Sequence, residues 1–198
     1  MRGARRLPAA GAALRRAAAS LLVALALACP PHAAAQSPDA ADAPLAQRVK
    51  AAFLYRFLAY VDWPANAFAD SASPVVIGVA GHDRDVAEVK ATIGERLVNG
   101  RSVLVRRVRE ADALSGTHVL FVTRAESART AAFAQAARAT STLVVTEDES
   151  AFAQGSAINF RIVDGRVRFD IALAPAERAG LRISSRLLAV AQTVRTAP

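Results

Sequence analysis

Three arginines offer the most specific chemistry in this chain. Arg166 and Arg168 alternate with Val167 and Phe169, so on a strand both side chains project to one side of the sheet. Arg56 lies inside the apolar and aromatic stretch VKAAFLYRFLAYVDWP, Val49 to Pro64, where a cation needs a partner, an anionic ligand or a route to water along its own stem. A guanidinium grips carboxylate or phosphate through two parallel hydrogen bonds. The three are therefore candidates for holding a small anionic ligand or the acidic surface of a partner, with a hydrated sheet face as the alternative for the strand pair. Tyr55 and His82 join them as candidates. His82 follows Gly81 after an apolar run, and the C-terminal ends of strands form the usual ligand edge of an open parallel sheet.

Other chemistries find fewer residues to work with. Beyond an N-terminal leader the chain has no cysteine and only two histidines, His82 and His118, a poor donor set for a transition metal. His118 opens an apolar strand and reads as a structural histidine. Gly78-x-x-Gly81 lacks the third glycine and the acidic partner of a dinucleotide site, and no Walker A lysine is present. There is no Gly-x-Ser-x-Gly elbow. Ser184 and Ser185 read as a helix cap, and Glu147-Asp148-Glu149 as a solvated acidic turn. No nucleophile, base and orienting group assemble from these residues, so the chain reads as a binding protein rather than an enzyme, with neither metal nor cofactor.

Residues 1–35 hold five arginines and no acidic residue, then the apolar run Ala17 to Cys29, then Ala33-Ala34-Ala35. A basic start, a short apolar core and an Ala-x-Ala site make a secretory signal peptide cleaved near Ala35. The run is shorter than the roughly 20 apolar residues that span a bilayer. A lipoprotein anchored at Cys29 is the rival reading. Without the leader, the net charge falls from +8 to +3, because 20 of the 25 basic residues then face all 17 acidic ones. The remaining Arg106-Arg107-x-Arg109 reads as the solvated end of a strand, and no basic block interleaved with aromatics is left to bind nucleic acid. Cys29 is the only cysteine, so the exported domain has no disulfide and depends on its core. It is long enough for that, since about 150 residues bury roughly 70% of the unfolded surface.

Several elements must position the candidate residues. Gln36 to Pro44 reads as a disordered leader. The stretch from Leu45 reads as a helix ending at Pro64, with Leu45, Val49, Ala52, Phe53, Tyr60 and Trp63 on its core face. On this reading Arg56 falls within that face, Tyr55 lies opposite, and Leu54, Leu58 and Val61 border the polar side as apolar surface for a partner. Val75 to Ala80, Ser102 to Val108, His118 to Thr123 and Thr142 to Thr146 read as strands, alternating with helices over Asp85 to Arg96 and Ser127 to Thr140. Such alternation predicts a single Rossmann-like α/β domain over residues 45–196, its mostly parallel sheet flanked by helices. Asp164-Gly165 between apolar runs is a strong hairpin signal, so Ser156 to Leu173 should end the sheet in a C-terminal β-hairpin and make it mixed. A short helix over Pro175 to Gly180 and a last one capped by Ser184, carrying Leu187, Leu188, Ala191 and Val194, complete the chain.

The motifs, taken in order, resemble a known family. Phe-Leu-Tyr-x-Phe-x-x-Tyr-Val-Asp-Trp-Pro (53–64), Gly81-His82-Asp83, Gly100-Arg101, His118-Val119-Leu120-Phe121, Gly155-x-x-Ile158-Asn159-Phe160 and Ala179-Gly180-Leu181-x-Ile183-Ser184-Ser185-x-Leu187-Leu188 are similar to the YfiR family. Its members are bacterial periplasmic proteins that repress membrane-bound diguanylate cyclases. The resemblance spans Leu45 to Val194. It implies a periplasmic regulator that binds the extracytoplasmic domain of a membrane-bound diguanylate cyclase or sensor kinase, lowers cyclic di-GMP signalling, and so bears on biofilm formation. A homodimer is a further possibility, and a periplasmic protein binding or sensing an anionic solute is the alternative reading. Some relatives carry cysteine pairs, a redox switch this chain cannot form within itself.

Overall fold

The computed structural model describes residues 38–196. The expected signal peptide, Cys29 and the first residues of the expected leader lie outside the described residues. Helix α1 runs from Pro38 to Tyr60 and is followed by the short strand β1 (Val61–Asp62). Then come β2 (Val75–Ala80), α2 (Asp83–Ile93), β3 (Leu97–Val98), β4 (Arg101–Arg107), β5 (Val119–Val122), α3 (Thr130–Thr140) and β6 (Leu143–Thr146). The last third holds α4 (Glu149–Ala153), β7 (Ile158–Val163), β8 (Arg166–Ala172), α5 (Leu173–Arg178), β9 (Arg182–Ile183), α6 (Ser185–Leu188) and β10 (Thr193–Arg195).

The main sheet has eight strands in the order β10-β8-β7-β6-β5-β2-β4-β3. Neighbours are parallel except at the β7–β8 hairpin and at the β3–β4 edge, both antiparallel. The mixed, mostly parallel α/β sheet is thus the expected fold class. Its central strands β2, β5 and β6 are buried along their whole length, because helices cover both faces and an all-apolar, β-branched run suits that position. Alternate residues feed two cores. On one face Ile77, Val79, Phe121, Val145, Phe160 and Phe169 meet α1, α2 and the C-terminal segment. On the other, Leu120, Val122 and Val144 meet Phe133 and Ala137 of α3.

Helix α1 is fastened to the first core by rings. The Phe57 centroid lies 5.8 Å from Phe160 and 5.2 Å from Phe169, and that of Phe53 lies 5.3 Å from Phe169. The side of α1 that faces inward is rotated from the expected one. Ala51, Leu54, Phe57, Leu58 and Val61 are buried, whereas Leu45 is 61% and Tyr60 36% exposed. The helix is apolar around most of its circumference, so its own periodicity does not choose the buried stripe; the two phenyl rings on the hairpin do. Leu54, Leu58 and Val61 are therefore core residues and leave no apolar surface for a partner.

Three boundaries also moved. Residues 38–44, expected as a disordered leader, belong to α1; Pro38 at the first helical position and the alanines after it favour helix. At its other end α1 stops at Tyr60 rather than at Pro64, because Val61 and Asp62 pair with Ile183 and Arg182. The last helix closes at Leu188, and Val194, expected on it, lies instead on β10, which pairs in parallel with Asp170–Ala172 of β8.

Candidate functional site

The hairpin β7–β8 extends past the core, and the N-terminal half of α1 passes beside its tip. Between them lies a groove of about 640 Å³. Leu45, Val49 and Phe53 of α1 with Ile162 and Val167 of the hairpin give it apolar walls, and Arg166 and Arg168 stand at its strand side. A shallower recess formed by Val49, Ala52, Phe53 and Arg56 shares two of these residues. Arg56, distant in sequence from Arg166 and Arg168, thus lies in a recess that adjoins their groove, with Val49 and Phe53 common to both.

All three arginines are exposed, and among the described residues no carboxylate lies within ion-pairing distance of them. Arg56 is not within the core face of α1, as its neighbours in sequence suggested. It projects about 160° around the helix from Leu54 and about 100° from Phe57, as 3.6 residues per turn requires, and so faces away from the core once those two turn inward. The groove's other cation, Lys50, is occupied: its ammonium donates to Glu147 Oε2 at 2.5 Å, with both side chains largely buried.

Glu147 is correspondingly not part of a solvated turn. Its Oε1 accepts the Arg124 backbone N–H at 2.8 Å while Oε2 takes Lys50, so a buried carboxylate at the C-terminal end of β6 ties α1 to the sheet. Asp148 accepts the Ser150 and Ala151 backbone N–H groups as the N-cap of α4. The Ser150 hydroxyl, above all, holds the Asp148 carboxyl below the usual carboxylate range. Sequence reasoning missed α4, although Asp148 followed by Glu149-Ser150-Ala151-Phe152 carries the cap residue and first-turn acid that open a helix.

The other two candidates stand apart from the groove. Tyr55 donates its hydroxyl to the Leu97 carbonyl at 2.8 Å, and the Arg96 guanidinium sits 5.5 Å above its ring; it fastens the β3–β4 edge to α1. His82 is exposed at the C-terminal end of β2, where the strand turns into α2, and its backbone N–H donates to Asp85 Oδ2 at 2.8 Å. The turn there is tight. A Cβ at Gly81 would stand 2.7 Å from Asp85 Oδ2 and from Thr123 Cγ2, so the protein's own helix cap fills the strand edge beside His82.

His118 is structural in detail. Its Nδ1 accepts the Val76 N–H at 3.1 Å and its Nε2 donates to the Ala67 carbonyl at 3.1 Å, which together define the neutral imidazole protonated at Nε2. Phe68 stacks on the ring at 4.4 Å. Burial pushes the imidazole below its ordinary value, against a smaller upward effect of the Ala67 carbonyl. Among the described residues no cluster of three or more His, Cys, Asp and Glu side chains could hold a metal ion, and no helix is long and apolar enough to cross a membrane.

The described residues form a mostly parallel α/β layer with an apolar groove beside its outer hairpin, and Arg166 and Arg168 are among the residues that line it. The chain belongs to the YfiR/HmsC-like family (DUF4154), which matches residues 47–192. No curated protein matches the chain. Among solved structures it is similar to a conserved domain protein from Vibrio cholerae O1 biovar eltor str. N16961, at 12% identity and a TM-score of 0.54 over 75% of this chain. The present chain spans 60% of that protein's length; the likeness is one of fold.

Proposed function

We propose that the protein is a periplasmic, non-catalytic regulator that binds the extracytoplasmic domain of a membrane-bound diguanylate cyclase and holds it inactive, lowering cyclic di-GMP. The observation that supports this reading is the family match over residues 47–192, which takes in every element from the second half of α1 to α6. The groove at the β7–β8 hairpin suits the partner contact: apolar walls exclude water from the centre, while Arg166 and Arg168 at its strand side and Arg56 in the adjoining recess supply unpaired donors. A membrane sensor kinase is the second class of partner for the same surface.

Deletion of the gene should raise cellular cyclic di-GMP, measured by mass spectrometry of nucleotide extracts. Wild-type complementation should restore the level, whereas an Arg166→Glu/Arg168→Glu chain of equal abundance should not. Unchanged cyclic di-GMP on deletion, with the chain present in the parent strain, would remove the regulatory reading. Export is tested separately by the intact mass of the periplasmic product: cleavage after Ala35 leaves a chain beginning at Gln36, whereas a lipid-modified Cys29 would place it on a membrane leaflet.

A further inference from the structure

Strand β8 is covered along only half of its outer edge. Strand β10 pairs with Asp170–Ala172, the Gln192 N–H donates to the Phe169 carbonyl at 2.8 Å, and upstream of that point the chain turns away through residues 189–191. Arg166, Val167 and Arg168 therefore prolong the line of β10 with no strand beside them. In the β7–β8 ladder Ile162 stands opposite Val167 and Phe160 opposite Phe169. Because the backbone groups of an antiparallel strand alternate between its two sides, and the Phe169 carbonyl turns outward to Gln192, the N–H and C=O of Val167 turn outward as well. No hydrogen bond to either appears among the described residues. Such an edge is a template for an added strand.

This edge is also the outer lip of the groove. Val167 packs its side chain towards Phe53 and the core, while Arg166 and Arg168, alternating with it, are exposed without a carboxylate partner. We propose that the Arg166–Arg168 edge of β8 takes an extended acidic segment of a partner protein by strand addition. Alternate residues of that segment place apolar side chains in the groove and carboxylates against the two guanidinium groups. Charge decides the occupant. A second copy of this chain pairing through the same edge would set arginine against arginine, and like charges directly opposite are unfavourable; an acidic strand meets two unpaired bidentate donors. The inference rests on the regulatory reading only in taking the partner to be a protein.

The test uses the mature chain and three synthetic peptides: an alternating Glu-Val heptapeptide, its Lys-Val counterpart, and the Glu-Val peptide with N-methylated valines. Binding is followed by fluorescence anisotropy, and hydrogen exchange of the Val167 amide by NMR. The Glu-Val peptide should bind, slow exchange at Val167 and weaken with added salt, while the Lys-Val and N-methylated peptides should not bind. Arg166→Glu/Arg168→Glu should lose about tenfold or more in affinity. Val167→Pro removes the outward N–H, a change edge strands tolerate, along with part of the packing against the core, and should lose binding while the chain still melts cooperatively. Val167→Ala, which keeps the N–H, should retain protection of that amide by the Glu-Val peptide. Equal binding of the acidic and basic peptides, an unprotected Val167 amide at saturation, or full binding of the N-methylated peptide overturns the proposal, as does succinate binding at the arginines while the Glu-Val peptide does not. Cyclic di-GMP reads the regulatory role independently: peptide capture without any effect of gene deletion leaves the edge standing and removes the regulator, and the reverse result does the opposite.

Discussion

Replacing Phe57 by alanine removes a ring that is 0% exposed and lies within 6.1 Å of the rings of Phe53, Phe160 and Phe169. Truncation of a buried phenylalanine costs about 3–5 kcal/mol, from lost transfer energy and from the cavity left behind. Three ring neighbours, each pair adding roughly 0.5–1.5 kcal/mol beyond area burial, place this site in the upper half of that range. Against a typical domain stability of about 5–15 kcal/mol, that is a large share. With a urea slope of about 2 kcal/mol/M the midpoint should fall by about 2 M, and the melting temperature by about 10–15 °C for a domain of this size. Phe53→Ala, at a half-buried ring on the groove floor, should cost clearly less because less surface leaves water. Paired urea and thermal melts by circular dichroism give both numbers. A Phe57→Ala loss below about 1 kcal/mol, or one smaller than that of Phe53→Ala, would mean that α1 does not dock on the hairpin through this ring.

Two further expectations follow from the buried polar groups. Burial lowers the His118 imidazole from its ordinary 6.5, so below about pH 6.5 the unfolded chain takes up a proton that the folded chain refuses. This contribution to stability is complete above that pH and is lost as the pH falls towards the folded value; urea midpoints between about pH 7.5 and about pH 5 should fall more steeply for the wild type than for His118→Gln, and equal slopes would refute it. Lys50→Met leaves Glu147 buried at 8% exposure without its cation, and breaking such a pair costs about 3–5 kcal/mol. Lys50→Met/Glu147→Gln, which keeps an acceptor for the Arg124 N–H, should recover most of that loss, and a double mutant as unstable as the single one would show that the unpaired charge is not the cause.

The sequence by itself determined what depends on local chemistry. Val75–Ala80, Val119–Val122 and Leu143–Thr146 are short, apolar and rich in β-branched residues, and they became the three central buried strands. Asp164 and Gly165 adopt φ values of 49° and 69°, the two left-handed residues a tight hairpin turn demands, and the β7–β8 hairpin formed where that dipeptide lay. Tertiary structure decided what depends on the partner surface. Helix α1 could have buried several stripes, and Phe160 and Phe169 selected Leu54, Phe57 and Leu58, turning Arg56 outward. Thr193–Arg195 could have continued a helix, but half of the β8 edge was open to pair with it. The gathering of Arg56, Arg166 and Arg168 around Val49 and Phe53 belongs to the same class. Arg56 is separated from the strand pair by more than a hundred residues of chain, and only the passage of α1 beside the hairpin brings its recess against their groove.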